Sequence, residues 1–524
     1  MNIKETLNYF ATNLYNKTKN SFVEKEDNKG LSSNDYTDED KNKLGGLPSD
    51  TYTKSEINNA LSGKSDTSHT HDDRYYTESE INTKLSSKSD TSHTHDDRYY
   101  TETETDNKLS SKSDTSHNHD GSYYKKAEVD NKVSTINGNI STLQTDLSNT
   151  NTKVDDLAKL VESYHPKIMT VIIDKTDSNP ETCITYADDA VGMTPGSDEW
   201  DKFFGHYPCL FKDGAEVGKL NPNNFAQFED GSSADITSGD AGDVMIAFPK
   251  LGYKITSTDT TLTVSMTKNP NAEGFCYLAH TRGTTVKDKF YLGAYKGYVS
   301  SSKLRSLSGK TPSGKITIGN FRKYAQANGS GYDQSAFYQL LFRQCMYLLK
   351  YKNLDSQTAV GKGYTLGSNT TSISTGGTNT KGMDFGETTG TLQMKLFGLE
   401  DFWGNVWEFI DGVYSDSSGN ILTATENFNN TGSGYTNQDS SGLSSYTYGF
   451  MTDVQGTSEK GFIIKAIGGS SSTYYCDSVY FDVSCHACFG SFCGSNTSAG
   501  AFTLGLYYST SHSGNYFSAR LMYL

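Results

Sequence analysis

The sequence predicts an elongated, multi-domain protein in which a trimeric fibre shaft leads into a mixed α/β head. Three observations predict this fold class. A polar motif repeats every 24 residues, an unbroken heptad pattern follows it, and short strands with glycine-rich turns begin after Pro166. We predict an attachment segment, a repeat region, a coiled coil and a head whose last part is variable: residues 1–50, 51–126, 127–165, 166–524 and, within the head, 468–524.

The composition favours binding over catalysis. Hydrophobic residues make up 34% of the chain, yet 35 tyrosines and 25 phenylalanines are present, a mixture that suits β-rich binding surfaces better than a large aliphatic enzyme core. The net charge of −15 argues against nucleic acid or an anionic membrane as partner. We see no signal peptide and no apolar run long enough for membrane insertion, so we expect synthesis in the cytoplasm.

The repeat region consists of near-identical units that begin at Tyr52, Tyr76 and Tyr100, with a degraded copy from Tyr124. Apolar residues four apart in the units predict short helical turns, as at Ile81 and Leu85. One such unit has too little apolar surface to be stable alone. The repeats are therefore expected to be stable only when several chains wrap together.

Each full unit contains a His-x-His step. In an extended strand residues i and i+2 project from one face, so three chains around an axis would supply six imidazole nitrogens, an octahedral set for a transition metal. A polar turn whose histidines only form hydrogen bonds is the alternative, and both interpretations stay open. The candidate metal ligands are His69, His71, His93, His95, His117 and His119. The region resembles the His-x-His repeats of phage tail fibres, which implies intertwined homotrimers with iron on the axis.

The coiled coil is predicted from apolar or near-apolar residues spaced alternately three and four apart. The seam consists of Val133, Ile136, Ile140, Leu143, Leu147, Thr150, Val154, Leu157, Val161 and Tyr164. Branched residues occur at both core positions and no buried Asn enforces a dimer, which favours a trimer. Pro166 is expected to end the helix. An amphipathic helix packed on its own domain is the alternative.

The stretch KGLSSNDYTDEDKNKLGGL, residues 29–47, is similar to linkers of phage tail proteins. This resemblance implies that residues 1–50 attach the chain to other tail or baseplate proteins.

The head is predicted to contain strands in IMTVIID, GDVMIAFPKLGYKI and TTLTVSM, and one long helix over residues 337–351. Its stretch GLEDFWGNVWEFIDG, residues 398–412, resembles the signature of the formylglycine-generating-enzyme branch of the C-type lectin fold. We interpret Gly404 and Asn405 as a tight turn, Trp407 as core and Glu408 as the partner of a buried donor. The resemblance extends to Gly-Gly-Ser at 468–470 and Ser-Ala-Arg-Leu at 518–521.

Between those two landmarks the chain has an unusual composition. Residues 470–519 contain no Lys, Glu, Gln, Trp or Met, although these types make up about one residue in six of the chain and about eight are expected here. None of the five is encoded by a triplet ending in C or T. The remaining types are those obtained when the adenines of Asn codons are randomised. This pattern resembles the variable region of proteins diversified by a retroelement.

The residue set suits recognition, because Tyr and Phe give large contacts at low entropy cost while Ser, Asn and Gly adapt their hydrogen bonds. Residues 498–502, Leu504, Leu506 and Arg520 are interpreted as fixed. The predicted ligand-binding positions are Tyr474, Tyr475, Cys476, Asp477, Tyr480, Phe481, Asp482, Ser484, Cys485, His486, Cys488, Phe489, Phe492, Cys493, Tyr507, Tyr508, His512, Asn515, Tyr516 and Phe517.

Two other interpretations of this segment stay open. Cys485, His486 and Cys488, with Cys493 nearby, could bind zinc or copper or form a catalytic cysteine site, as in a metal-dependent oxidase or sulfoxide synthase of the same fold. No second pair completes a zinc site, and no Arg or Lys lies nearby in sequence to lower a thiol pKa. We therefore expect no enzyme activity and no cofactor in the head.

These resemblances together imply a phage tail-fibre receptor-binding protein. It would be located on the virion and bind a bacterial surface protein or glycan through the variable face of its lectin-like head. A non-viral diversified display protein is the alternative. A calcium-dependent sugar lectin is disfavoured, because neither Glu-Pro-Asn nor Gln-Pro-Asp occurs.

Overall fold

A computed structural model describes residues 78–86, 102–112, 125–164, 167–367 and 372–524. The chain divides into two units, Met1–Ser134 and Thr135–Leu524. The predicted attachment segment and all six histidines of the His-x-His steps lie outside the described residues. Among the residues that are described, no helix is both long and apolar enough to cross a membrane.

The first unit contributes two short helices, α1 (Glu78–Ser86) and α2 (Glu102–Lys112). The predicted helical turn at Ile81 and Leu85 is confirmed, since both residues lie in α1. Both side chains are at least half exposed. A helix of this length is marginal alone in water, so it needs packing to be stable.

Helix α3 (Lys126–Tyr164) is continuous over 39 residues. The prediction of a long helix here is confirmed, and the helix ends two residues before Pro166. The apolar seam from Val133 to Leu157 is 47–66% exposed at every Val, Ile and Leu. About seven consecutive helical turns thus carry one apolar stripe that this chain leaves in solvent.

The head, residues 167–524, is rich in β structure with few helices, whereas a mixed α/β domain was predicted. The predicted helix over residues 337–351 is confirmed as α6. The helices of the head are α4 (Asp198–Phe204), α5 (Ile318–Gln326), α6 (Phe337–Tyr351) and α7 (Ser356–Ala359). Its strands are β1 (Ile168–Asp174), β2 (Ile184–Asp188), β3 (Tyr207–Lys212), β4 (Ala215–Asn221), β5 (Asn224–Phe228), β6 (Asp243–Pro249), β7 (Gly252–Ser257), β8 (Thr261–Thr267), β9 (Thr281–Arg282), β10 (Thr285–Val286), β11 (Lys289–Gly293), β12 (Tyr298–Ser300), β13 (Lys303–Arg305), β14 (Tyr332–Gln334), β15 (Lys395–Leu396), β16 (Leu399–Glu400), β17 (Trp407–Ser415), β18 (Asn420–Thr423), β19 (Thr436–Ser440), β20 (Thr447–Val454), β21 (Ile464–Ile467), β22 (Ser478–Phe481), β23 (Cys485–Phe489), β24 (Leu504–Tyr508), β25 (Phe517–Ser518) and β26 (Leu521–Tyr523).

Three larger sheets contain most of these strands, and the pairs β9-β10, β12-β13 and β15-β16 form small two-stranded sheets. A four-stranded sheet has the order β2-β1-β8-β7, and a seven-stranded sheet has the order β14-β26-β11-β6-β3-β4-β5. The third sheet runs β19-β18-β17-β23-β24-β22-β20-β21, and β25 pairs in parallel with β17. The strands predicted in IMTVIID, GDVMIAFPKLGYKI and TTLTVSM are confirmed as β1, β6 with β7, and β8.

Helix α6 is the centre of the head. All of its residues from Phe337 to Lys350 are buried, and it contacts β1, β8 and β17. A helix that is apolar on several faces is buried on all sides. Its neighbours form one large core that continues into the third sheet.

The stretch at residues 398–412 matches its interpretation. Gly404 and Asn405 have φ values of 80° and 60°, the left-handed conformation of a tight turn. Trp407 is buried. Glu408 is fully buried and accepts hydrogen bonds at Oε2 from Lys296 Nζ and Arg520 Nε, both at 2.9 Å. The predicted buried donor of Glu408 is therefore confirmed, and there are two.

Candidate functional site

The variable segment contributes three neighbouring strands to the third sheet. Strand β24 lies between β23, with which it is antiparallel, and β22, with which it is parallel. The fixed strands β17 and β20 pair with β23 and β22 on either side. The segment is thus built into the middle of a sheet, so only part of it reaches solvent.

The two faces of these strands differ in burial. Val479, Phe481, Ala487 and Phe489 pack into the large core around α6. On the opposite face, Tyr480, Cys488 and Tyr508 pack in a smaller cluster with Trp407, Phe409 and Phe517. Side chains of a strand alternate between faces, which explains why neighbouring positions have different environments.

Half of the predicted ligand-binding positions are buried, so direct ligand contact at these positions stays an untested prediction and their burial disfavours it. A side chain enclosed by other side chains has no surface to offer a docking partner. The buried positions are Tyr475, Cys476, Asp477, Phe481, Cys485, His486, Cys488, Phe489, Cys493 and Phe517.

Several of these buried side chains have clear structural roles. Asp477 Oδ2 accepts a hydrogen bond from the backbone N–H of Phe502 at 2.7 Å, and Gly500 packs so closely on Asp477 that a Cβ would not fit. Burial raises the pKa of Asp477 well above its usual value. Asp477 therefore holds the turn that was interpreted as fixed, residues 498–502.

The cysteines and the histidine of the Cys-His-Ala-Cys stretch, residues 485–488, have separate hydrogen-bond partners. Cys485 Sγ donates to the Val483 carbonyl at 3.3 Å, Cys488 Sγ to the Gly505 carbonyl at 3.7 Å, and His486 Nε2 lies 3.1 Å from the Asn430 carbonyl. Burial raises the pKa of Cys485 to about 11. No group of three His, Cys, Asp or Glu side chains in the described part of the chain could hold a metal ion. Separate carbonyl partners and neutral thiols give these cysteines a packing role.

The other ten predicted positions reach the surface. Ser484 and Asn515 are exposed, and the remaining eight are half-buried. The half-buried positions are Tyr474, Tyr480, Asp482, Phe492, Tyr507, Tyr508, His512 and Tyr516.

Five tyrosine rings form a continuous surface, which we call the tyrosine face: Tyr446, Tyr448, Tyr480, Tyr507 and Tyr508. Ring centroids are 4.5 Å apart for Tyr448 and Tyr480, and 5.9 Å apart for Tyr480 and Tyr507. Tyr507 also lies 5.7 Å from Tyr446 and 5.4 Å from Tyr508. His512 extends the row, at 4.4 Å from Tyr508. These spacings are those of interacting aromatic pairs.

Tyr446 and Tyr448, which are 71% and 51% exposed, were not predicted from the sequence. They precede the segment with the biased composition, so that bias gave no signal for them. In the sheet, Tyr448 lies directly opposite Tyr480 in the pairing of β20 with β22. The Tyr-Thr-Tyr spacing at 446–448 was the available signal, since residues two apart in a strand share a face, although β20 begins at Thr447 and Tyr446 precedes it with a φ of 62°.

The carboxylate of Asp482 lies at the edge of the tyrosine face, close enough to act on Tyr507. A hydrogen bond with Tyr446 raises the pKa of Tyr507, and burial raises the pKa of Tyr508. Asp482 accepts a hydrogen bond from Ser445 Oγ at 2.5 Å, which lowers the pKa of that carboxyl. The face therefore presents neutral hydroxyls, which donate and accept hydrogen bonds, next to an ionised Asp482.

A buried ion network fixes the end of the variable segment to the rest of the head. Arg520 donates to Glu408 and, through Nη1, to the Gly293 carbonyl at 2.8 Å. Arg343 Nη2 lies 3.5 Å from Glu408 Oε1. Arg520 directly follows the stretch with the biased composition, residues 470–519, so the network holds the chain in place whatever side chains precede it.

Comparison with known proteins gives a limited result. No protein family and no curated protein matches the sequence. Among solved structures, the chain is similar to the Major Tropism Determinant M1 variant at 12% identity and a TM-score of 0.23, over 63% of this chain and 73% of that one. The U1 variant gives 13% identity and 0.22 over the same shares. Values this low do not establish a shared fold.

Proposed function

We propose that this chain is a phage tail-fibre receptor-binding protein whose C-type-lectin-like head docks on a bacterial surface molecule. The observation that carries the proposal is the tyrosine face: three of its rings come from the segment with the biased composition, and they meet on one surface. Tyrosine combines large contact area with hydrogen bonding at low entropy cost, as in antibody binding sites. The head binds and does not catalyse, and it needs no cofactor.

A rigid frame under a changeable surface supports this function. The buried half of the variable segment packs in the core, and the Glu408 network holds its end. Changes of side chain at the surface positions would then change which ligand is bound without altering the fold.

Because the residue set matches randomised Asn codons, we expect adjacent DNA to carry a near-copy of the final coding segment that differs only at adenines. Virion genes beside it would support a phage, and a secretion system would support a cellular display protein.

The shaft is proposed to be a homotrimer. The exposed apolar stripe of α3 is the surface that two further copies would cover, which buries apolar area and stabilises the assembly.

The His-x-His steps of such a trimer would hold iron or another transition metal on the axis. Metal analysis of the purified chain tests this: His93→Gln with His95→Gln should lower the bound metal, and an unchanged content would contradict it. Residues 1–50 are proposed to attach the fibre to other tail or baseplate proteins.

Adsorption of the purified full chain to bacteria tests the binding role. Tyr507→Ser removes one ring of the tyrosine face from a position that the core does not need, and adsorption should fall at least about tenfold. Val286→Ala is the matched control, because Val286 is 46% exposed on β10. Equal adsorption of wild type, Tyr507→Ser and further surface variants of the segment would overturn the proposed function.

A further inference from the structure

The strands that build the tyrosine face carry acidic side chains and no strongly basic ones. The two stretches that build it, residues 436–454 and 470–519, contain neither Lys nor Arg. Asp482 is half-exposed, and its Oδ1 also accepts the Val483 N–H at 2.8 Å. A surface with a carboxylate and no cation from its own strands favours a ligand with positive charge.

The rings of the tyrosine face are not a flat platform. The plane of Tyr507 is tilted by 66° from Tyr446, by 47° from Tyr480 and by 83° from Tyr508. Coplanar rings would suit the flat face of a sugar, whereas rings at these angles form walls around a protruding group. The electron-rich faces of such rings attract a cation within about 6 Å.

Tyr446 and Tyr448 are the two rings of the tyrosine face that lie outside the variable segment. Both precede the variable segment, and together they are its most exposed aromatic neighbours. Tyr446 contacts Tyr507, and Tyr448 stacks on Tyr480 at 28° between planes. Two of the five rings of the tyrosine face would therefore persist when the variable positions change.

We propose, building on the proposed binding function, that the ligand is a protein surface presenting a Lys or Arg side chain, and that Tyr446 and Tyr448 are constant contacts for it. The cationic group sits among the rings of Tyr446, Tyr480 and Tyr507, with Asp482 as its counter-ion. Arginine fits best, since its planar group both stacks on rings and pairs with a carboxylate. The variable positions then select among surfaces that share this basic anchor.

Titration of the full chain with small probe molecules tests whether the tyrosine face prefers a cationic group. The probes are a capped Gly-Arg-Gly peptide, the same peptide with norleucine in place of arginine, and maltoheptaose, each followed by saturation-transfer NMR. We expect the arginine peptide to bind best. Tyr446→Ala should weaken it about fivefold or more, and Tyr446→Phe, which keeps the ring, should stay within about twofold of wild type. Asp482→Asn should also weaken binding and reduce its salt dependence.

Equal binding of the norleucine peptide, or preferential binding of the oligosaccharide, would overturn the inference. Adsorption to bacteria separates it from the proposed function. If Tyr507→Ser lowers adsorption while Tyr446→Ala and Tyr448→Ala leave it unchanged, the constant contacts are wrong and the receptor-binding role stands. If Tyr446→Ala lowers both peptide binding and adsorption while Val286→Ala changes neither, the inference is supported.

Discussion

At the scale of single residues, the head depends on charges that never reach water. Glu408 is enclosed with Lys296, Arg343 and Arg520, and all four side chains are fully buried. The three cations keep the pKa of Glu408 well below its usual value despite the burial that raises it. Burying ions is costly unless each has a partner, so one carboxylate here compensates several cations.

Replacing Glu408 should therefore be severe. Glu408→Gln keeps the shape but leaves three buried cations without their counter-ion, and we expect the free energy of unfolding to fall by about 3–5 kcal/mol. Urea unfolding followed by circular dichroism measures the change. The exposed Glu459 offers a matched control as Glu459→Gln. A loss below 1 kcal/mol would show that the network is not needed for stability.

His280 should make the free energy of unfolding of the head fall as the pH is lowered. It is fully buried, its Nε2–H donates to the Pro249 carbonyl at 3.1 Å, and its Nδ1 has no partner among the described residues. Burial lowers the pKa of His280 to about 4. Between pH 6.5 and 4 the unfolded chain binds the proton more strongly, so this group removes up to about 3 kcal/mol of stability as the pH falls through that window. His280→Gln should flatten the fall, measured by unfolding at several pH values, and an unchanged slope would contradict the assignment.

Variants of Asp477 test whether this residue stabilises the fold, as its buried contacts indicate. Because its buried carboxyl has a raised pKa and accepts the Phe502 N–H, Asp477→Asn should keep the free energy of unfolding within about 1 kcal/mol. Asp477→Ala leaves that N–H unpaired and should cost about 1–3 kcal/mol. Thermal unfolding compares the two variants. Equal losses would mean that the hydrogen bond does not hold the turn at residues 498–502.

At the scale of elements, local patterns were predictable and surface placement was not. The heptad pattern predicted α3, and apolar residues predicted α6 to its ends, because helices follow short-range periods. The composition of residues 470–519 identified the segment that carries three rings of the tyrosine face. It did not separate Tyr480 from Phe481, because strand pairing decides which side chains face outward. Tyr448 joins the face through pairing of β20 with β22, and Tyr446, just before β20, joins it through its ring contact with Tyr507, both contacts between distant parts of the sequence.

The seam of α3 permits a direct test of assembly. Ile140→Asp places a charge in the middle of the exposed stripe and should convert a particle of three chain masses into single chains. Thr145→Asp adds the same charge on the opposite side of α3 and should leave the mass unchanged. Light scattering coupled to gel filtration gives both masses. A wild-type chain with the mass of a monomer would refute the trimer.

At the scale of the whole molecule, the proposed trimer would carry three heads on one fibre, so binding strength should be measured on the assembly as well as on one head. The proposed basic anchor would give each head a modest contact, and linked contacts raise apparent affinity by about 10²–10⁴ when the ligands are close enough to be engaged together. Ile140→Asp should thus dissociate from bacteria at least about a hundredfold faster than wild type, although each head is unchanged. Thr145→Asp should dissociate like wild type, as measured by biolayer interferometry on immobilised cells. Equal dissociation of Ile140→Asp and wild type, with their masses shown to differ, would mean that one head alone accounts for attachment.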